Sequence, residues 1–266
     1  MTISRFLVCS LLLSLTPLLA EEPGPWQHTE IRRFPAAEAK QGVAVDGEFF
    51  YVIDNRAIGK YRKRDGRRVG GWQGEENGPI QHLNSGLVVE GRLYVAHSNF
   101  PQMPEESSLE VWDVTTMEPL ERRVFPDPPG SLTWIVPEDS GWLACFAHYR
   151  RTSDPARSRL VRFDEKWKVV ASWSFPAALV ERFAGSSSSG GAIGPHGQLF
   201  LSGHDAKEFY LVRLPTSAEG EVVWEHTLPV SAEGQAFAWD PSEPGVLYSI
   251  SRSRREVIVS TVRRLP

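Results

Sequence analysis

A hairpin sequence that occurs five times constrains the fold of this chain more than any other feature. Its first copy, residues 41–55, reads as two short strands joined at Asp46-Gly47, a dipeptide typical of tight hairpin turns. A glycine begins each copy, and the intervals between these glycines are 44, 44, 60 and 44 residues: Gly42, Gly86, Gly130, Gly190 and Gly234. Five copies at a nearly constant period predict a repeat architecture.

Further strand-like segments follow each hairpin and give four strands to most repeats. The fifth repeat has only one such segment, residues 256–262, whereas residues 27–34 form an extra strand before the first repeat. Pairing this strand with the last repeat would close the ring and cover strand edges that an open wheel exposes. The sequence therefore predicts an all-β fold, a five-bladed β-propeller closed by an N-terminal strand in the last blade, as a single domain over residues 21–266.

Residues 1–20 have the pattern of a secretory signal peptide. Arg5 precedes an apolar run that is too short for a comfortable membrane span and ends at Ala20, before two glutamates. After cleavage only Cys145 would remain, so no intramolecular disulfide is expected. The formal net charge of −4 argues against a nucleic-acid partner. We expect an exported monomer, periplasmic or secreted, without a membrane span.

Two long insertions follow hairpins on what should be one face of the wheel. They are residues 99–107 and the residues that lengthen the 60-residue interval, which include 151–159 and 176–189. Within the second, residues 177–183 are expected to form a short helix and the serine run 186–189 a flexible tether. Repeat proteins often place binding functions in such loops, although neutral insertion is an equally good interpretation.

The second strand of every hairpin ends in an ionisable residue, and these ends should converge at one mouth of the channel. The five positions are Asp54, His97, His148, His204 and Arg252. The alternative is that each histidine only caps its strand by hydrogen bonding to a backbone carbonyl. Neighbouring positions on the same face add further polar side chains: Gln41, Asn55, His82, Asn84, Asn99, Ser131, Tyr149, Asp205, Glu233 and Gln235.

Three uses of this ring remain open. His97, His148 and His204 could bind one divalent metal ion with a position left for water or substrate. Alternatively, Arg252 could bind a substrate carboxylate while a histidine or Tyr149 removes a proton, with Asp54 or Asp205 orienting the base. Third, the ring could be a polar cup without chemistry. In each case the substrate contacts are expected from Arg252, Gln41, Asn84, Ser131, Gln235 and Glu233.

The Gln41-Gly42 pair that opens the first blade resembles secreted five-bladed propellers of the glutamine cyclotransferase kind. That resemblance implies intramolecular cyclisation at the channel mouth, with Gln41 in contact with substrate. The second blade departs from that family, because Ser85-Gly86 stands where the family has Glu-Gly. The chain also resembles bacterial propellers described as cycloisomerases or lactonising enzymes.

From these patterns we expect an exported enzyme, a lyase or intramolecular cyclase, acting on a small acidic substrate such as a sugar acid or modified amino acid. A bound divalent metal ion is one possible cofactor. The alternative from another class is a non-catalytic propeller that binds a sugar, an oligosaccharide or a peptide, or that docks a partner protein.

Overall fold

The computed structural model describes residues 26–265. The predicted signal peptide lies outside the described residues. Strand β1 (Trp26–Pro35) comes first. The first blade contains β2 (Gly42–Val45), β3 (Phe49–Asp54), β4 (Ala57–Arg62) and β5 (Arg68–Gln73). The second contains β6 (His82–Val89), β7 (Arg92–Ser98), β8 (Ser107–Asp113) and β9 (Pro119–Phe125).

The third and fourth blades have the same antiparallel order, with one irregularity. The third blade contains β10 (Ser131–Glu138), β11 (Gly141–Ala147), β12 (Arg159–Asp164) and β13 (Val169–Ser174). The fourth contains β14 (Gly190–Ile193), β15 (Leu199–Ser202), β16 (Glu208–Arg213) and β18 (Val223–Pro229). The short strand β17 (Glu219–Glu221) lies between β16 and β18 in sequence. It pairs in parallel with β13 at the outer edge of the third blade.

The fifth blade confirms the predicted closure. It contains β19 (Ala238–Trp239), β20 (Val246–Ser251) and β21 (Glu256–Arg264), and β1 pairs antiparallel with β21 as its fourth strand. Short helices occupy Pro155–Arg157, Ala177–Arg182 and Pro195–Gly197, so the helix expected over 177–183 is confirmed. No helix in the described part of the chain is long and apolar enough to cross a membrane.

Five apolar clusters, one between each pair of adjacent blades, hold the wheel together. Between blades five and one, for example, Phe50 stacks on Tyr61 and contacts Tyr248, with ring centroids 5.2 and 5.5 Å apart. Because both faces of each middle strand are covered by neighbours, these strands are almost continuously apolar rather than alternating. Burial of this surface supplies the main stabilising free energy.

The inner strands approach one another closely at the axis. A Cβ atom added to Gly42 would lie 2.6 Å from the Cβ of Ala236, and Ala236 N–H donates to the Gln41 carbonyl at 3.1 Å. This contact joins the fifth blade to the first. It gives one physical reason for a glycine at the head of a hairpin, because a side chain there would separate the two strands.

The serine run 186–189 is not a flexible tether, and that prediction is wrong. Ser187, Ser188 and Ser189 are buried where the chain enters the fourth blade. The Ser188 hydroxyl accepts from Trp134 Nε1–H at 2.9 Å and donates to the Gly190 carbonyl at 3.1 Å. The low complexity of the run reflects small side chains that are mostly buried, and the hydroxyls of Ser187 and Ser188 have defined partners.

Candidate functional site

A cavity of about 310 Å³ opens on the face where the second strands of the hairpins end. All five blades contribute to it. Its lining residues are Lys40, Gln41, Asn55, His82, Asn84, Phe100, Tyr149, Arg151, Gly185, Ser186, Ser189, His204, Gln235 and Arg252. The lining therefore includes three cationic side chains and two imidazoles but no carboxylate.

Six of the predicted site residues line this cavity: Gln41, Asn84, Tyr149, His204, Gln235 and Arg252. The other five do not line it. Among these, Ser131 is buried and its hydroxyl has no partner among the described residues. Asp54 and Glu233 lie nearby, and Glu233 lines a shallower neighbouring pocket. The remaining two, His97 and His148, are buried behind the cavity wall.

His97 is a structural histidine. Its Nε2 accepts from Gln81 N–H at 3.1 Å, and its Nδ1 lies 2.8 Å from the Ser108 hydroxyl, which in turn contacts Glu110 at 2.6 Å. A backbone N–H can only donate, so Nε2 carries no proton and the ring is neutral. Burial, followed by the charge of Arg122, lowers the pKa of His97 to about 3. Although Glu110 lies 3.8 Å from Nδ1, the two do not form an ion pair at neutral pH.

His148 is likewise bound to protein groups. Its Nε2–H donates to the Pro129 carbonyl at 2.7 Å, and its Nδ1 faces Glu105 Oε1 at 3.6 Å. No three His, Cys, Asp or Glu side chains within residues 26–265 form a group that could hold a metal ion. The predicted three-histidine metal site is therefore corrected. Capping by a backbone carbonyl, the alternative interpretation, describes His148, whereas His97 accepts from a backbone N–H instead.

His204 connects a carboxylate to Arg252. Its Nδ1–H donates to Asp205 Oδ2 at 2.7 Å, which leaves the lone pair of Nε2 to face Arg252 Nη1 at 3.3 Å. Arg252 also lies 3.8 Å from Asp205 Oδ1. One nitrogen of the imidazole is thus bound to Asp205 and the other faces Arg252. The imidazole therefore orients the guanidinium at the cavity wall.

A second cation is held in the same way. Lys40 Nζ lies 3.2 Å from Asp54, and the other oxygen of Asp54 lies 3.2 Å from Arg255. Neither Asp54 nor Asp205 lines the cavity, and Asp205 lines the shallower neighbouring pocket instead. The cavity wall at the junction of blades five and one is consequently cationic.

His82 is the imidazole that sequence reasoning did not place among the principal candidates. Its ring nitrogens form no hydrogen bond with any residue of the described chain, and the ring lies 5.6 Å from Phe100. Burial, with the positive charges of Lys40 and Arg252 and against the opposing charge of Asp54, lowers the pKa of His82 to about 4. His82 is therefore a neutral imidazole with an available lone pair near neutral pH.

Tyr149 and Phe100 form the aromatic wall of the cavity. Their ring centroids are 4.6 Å apart. Burial, with smaller effects from Cys145 and Glu105, raises the pKa of the Tyr149 hydroxyl above its usual value, so the hydroxyl keeps its proton. The cavity thus offers a proton acceptor at His82 and a proton donor at Tyr149.

Side-chain amides form the remaining polar lining and are held by hydrogen bonds. Gln41 donates to Asn55, Asn84 donates to the Leu132 carbonyl at 2.8 Å, and Gln235 donates to the His204 carbonyl at 2.8 Å. An irregularity in the β6–β7 register between Leu83 and Gly86 surrounds Asn84. Fixed amides of this kind suit the orientation of a polar ligand.

Four other lining residues come from segments that the sequence identified only as long loops or as the residues that lead into a strand. Phe100 lies in the 99–107 insertion, Arg151 and Ser186 lie in the two parts of the longer insertion, and Lys40 precedes β2. The lengths of these loops therefore indicated which segments of the chain contribute to the cavity. No pattern in the sequence indicated which side chain of each loop would reach the cavity.

One comparison with a solved structure supports the fold. No family model matches the chain, and no curated protein matches it. Among solved structures, a luciferin-regenerating enzyme matches with a TM-score of 0.51 and 10% identity, over 89% of this chain and 95% of that chain. The Swd1 β-propeller domain of Myceliophteria thermophila matches with a TM-score of 0.46 and 11% identity, over 83% of each chain. At 10% identity, the likeness to the luciferin-regenerating enzyme concerns the fold alone.

Proposed function

We propose that this protein is an exported enzyme, a lyase or intramolecular cyclase, that acts on a small acidic substrate in the cavity described above. The observation that carries this proposal is the unpartnered neutral imidazole of His82 beside the cations Lys40 and Arg252, in a cavity without a carboxylate in its lining. Titratable groups with perturbed pKa values in a cleft are typical of catalytic sites.

Arg252 and Lys40 would bind the carboxylate of the substrate. The guanidinium of Arg252 is held by His204 and Asp205, so it can present a prearranged pair of donors to a carboxylate. The amides of Gln41, Asn84 and Gln235 would then orient the rest of the molecule. This arrangement reduces the entropy cost of positioning the substrate.

In the lyase reaction, His82 takes the proton from the carbon next to the bound carboxylate. The electron pair of the broken C–H bond forms a C=C bond as the substituent on the adjacent carbon leaves, and the Tyr149 hydroxyl protonates that leaving group. In the cyclase reaction, His82 instead takes the proton of an internal amine or hydroxyl as it attacks a carbonyl carbon. Tyr149 again protonates the group that departs.

The experiment is a turnover screen of the purified protein with β-substituted carboxylic acids and with acids able to cyclise, with products identified by mass spectrometry. For an accepted substrate, His82→Gln and Tyr149→Phe should each lower kcat about 100-fold or more, as expected for loss of a general base or acid. His226→Gln, on the outer strand β18, is the matched control and should keep full activity. Equal activity in His82→Gln would overturn the assignment of the base.

The alternative function is binding of a sugar without chemistry. It is favoured by the aromatic wall of Phe100 and Tyr149 next to the fixed amides of Gln41 and Asn84. In that case a neutral sugar should bind, no acid should be turned over, and Tyr149→Phe should change affinity only modestly.

Export and a monomeric state belong to the same proposal. Cleavage after Ala20 would give a mature protein that begins at Glu21. Mass spectrometry of the protein recovered outside the cytoplasm should find this N-terminus, and light scattering should give the mass of one chain. A cytoplasmic protein that retains residues 1–20 would contradict export.

A further inference from the structure

The positive charges of the cavity lie on two opposite sides. What we infer from them is the class of acid that this cavity binds, which rests on the proposed function. The first side is at the junction of blades five and one. There Lys40 precedes the inner strand of blade one, and Arg252 follows the second strand of blade five. Each of them contacts a carboxylate that does not line the cavity.

The second side is formed by Arg151. This residue lies in the segment between β11 and β12 of blade three, two residues after Tyr149 has turned toward the cavity. Arg151 forms no ion pair or side-chain hydrogen bond within residues 26–265. In a closed wheel of five blades, blade three lies diametrically opposite the junction of blades five and one. Arg151 therefore faces the cavity from the side opposite Lys40 and Arg252.

Neutral groups form the rest of the polar lining, apart from the two imidazoles. They include the amides of Gln41, Asn84 and Gln235 and the hydroxyl of Ser189, with the aromatic wall at the side. The volume of about 310 Å³ lies at the lower end of the range for small-molecule pockets. A short ligand with a neutral middle and an anionic group at each end matches this distribution of charge.

We propose that the cavity binds a small dicarboxylate, with one carboxylate on Lys40 and Arg252 and the other on Arg151. Arg151 then determines specificity, because a monocarboxylate of equal length leaves it without a partner. Arg151 is the better candidate for a ligand contact because, unlike Lys40 and Arg252, it has no internal carboxylate to compete with the ligand.

The test is isothermal titration calorimetry at low ionic strength with matched pairs of probes: butanoate with succinate, pentanoate with glutarate, and hexanoate with adipate. For at least one pair the dicarboxylate should bind about tenfold or more tightly than its monocarboxylate. Arg151→Gln should remove this difference without weakening the monocarboxylate, and Arg252→Gln should weaken both probes. Arg157→Gln, in the same loop but outside the cavity lining, is the matched control and should behave as the wild type.

The outcomes separate this inference from the proposed function. If monocarboxylates bind and no dicarboxylate binds more tightly, the dicarboxylate inference is wrong while acid binding stands. The inference also fails if the advantage of the dicarboxylate survives in Arg151→Gln. If no carboxylate binds to the wild type, both the inference and the proposed acidic substrate are overturned.

Discussion

His82 and His97 belong to neighbouring strands of one hairpin in the second blade, where His82 pairs with Ser98 and His97 with Leu83. Both imidazoles are neutral because burial lowers their pKa values. His97 has protein partners for both nitrogens, whereas His82 has none among the described residues and lines the cavity. Partner availability, rather than protonation state, therefore distinguishes the structural histidine from the candidate base.

The pKa of His97 predicts a pH dependence of stability. Its value of about 3 in the folded protein lies below the value of about 6.5 for an unfolded histidine, so the unfolded chain binds more protons between these pH values. The free energy of unfolding should therefore decrease as pH falls from about 6.5, eventually by a few kcal/mol, on the order expected for such a shift.

Urea unfolding of the wild type and His97→Asn at pH 6.5 and 4.5 checks this prediction. The variant should be less stable at pH 6.5, because the Gln81 N–H and the Ser108 hydroxyl lose their partner. It should also lose less stability on acidification. An equally steep decrease in the variant would show that His97 is not the responsible group.

At the scale of elements, the segment that leads into β14 shows what a composition-based interpretation misses. A serine run is typical of a linker, yet here the backbone of Ser188 accepts from the Thr133 hydroxyl at 2.9 Å and its side chain binds Trp134. Local sequence could not reveal these contacts, because their partners lie about one blade away in the chain. The strands themselves could be predicted, since their pattern repeats with every blade.

Replacement of Ser188 should lower the stability of the protein, because the contacts of this residue are buried. Ser188→Ala leaves the buried indole N–H of Trp134 without its acceptor and should lower the free energy of unfolding by about 1–3 kcal/mol. Ser186→Ala is the matched control, since Ser186 lines the cavity and should change stability by less than about 0.5 kcal/mol. Thermal and urea unfolding measure both, and equal stability of the two variants would contradict a structural role for Ser188.

At the scale of the whole molecule, the repeat period allowed prediction of the blades, their closure and the face that carries the polar residues. Gln41, Tyr149 and Arg252 could be assigned to the cavity because each follows from its position in a repeat. The direction in which a side chain turns at the end of a strand could not be predicted. His97 and His204 occupy equivalent positions, but only His204 lines the cavity, since its neighbours differ from those of His97.

Because β1 closes the wheel, its deletion should destabilise the protein. Deletion of residues 21–35 would expose the edge of β21 and remove Trp26, which packs on Phe200 with ring centroids 5.2 Å apart. The truncated protein should have a lower Tm and should self-associate, as measured by calorimetry and size-exclusion chromatography. A monomer with the wild-type Tm would contradict the role of β1 in closing the wheel.

Binding of a small acid next to His82 can be followed by NMR titration of the His82 imidazole. In the free protein the ring should titrate with a pKa of about 4, and Lys40→Met should raise that pKa by removing a nearby positive charge. Saturating glutarate should shift the His82 resonances and raise its pKa as well, because the ligand neutralises Lys40 and Arg252. Unchanged His82 resonances in the presence of bound glutarate would show that the acid binds elsewhere, and the proposed site would then be wrong.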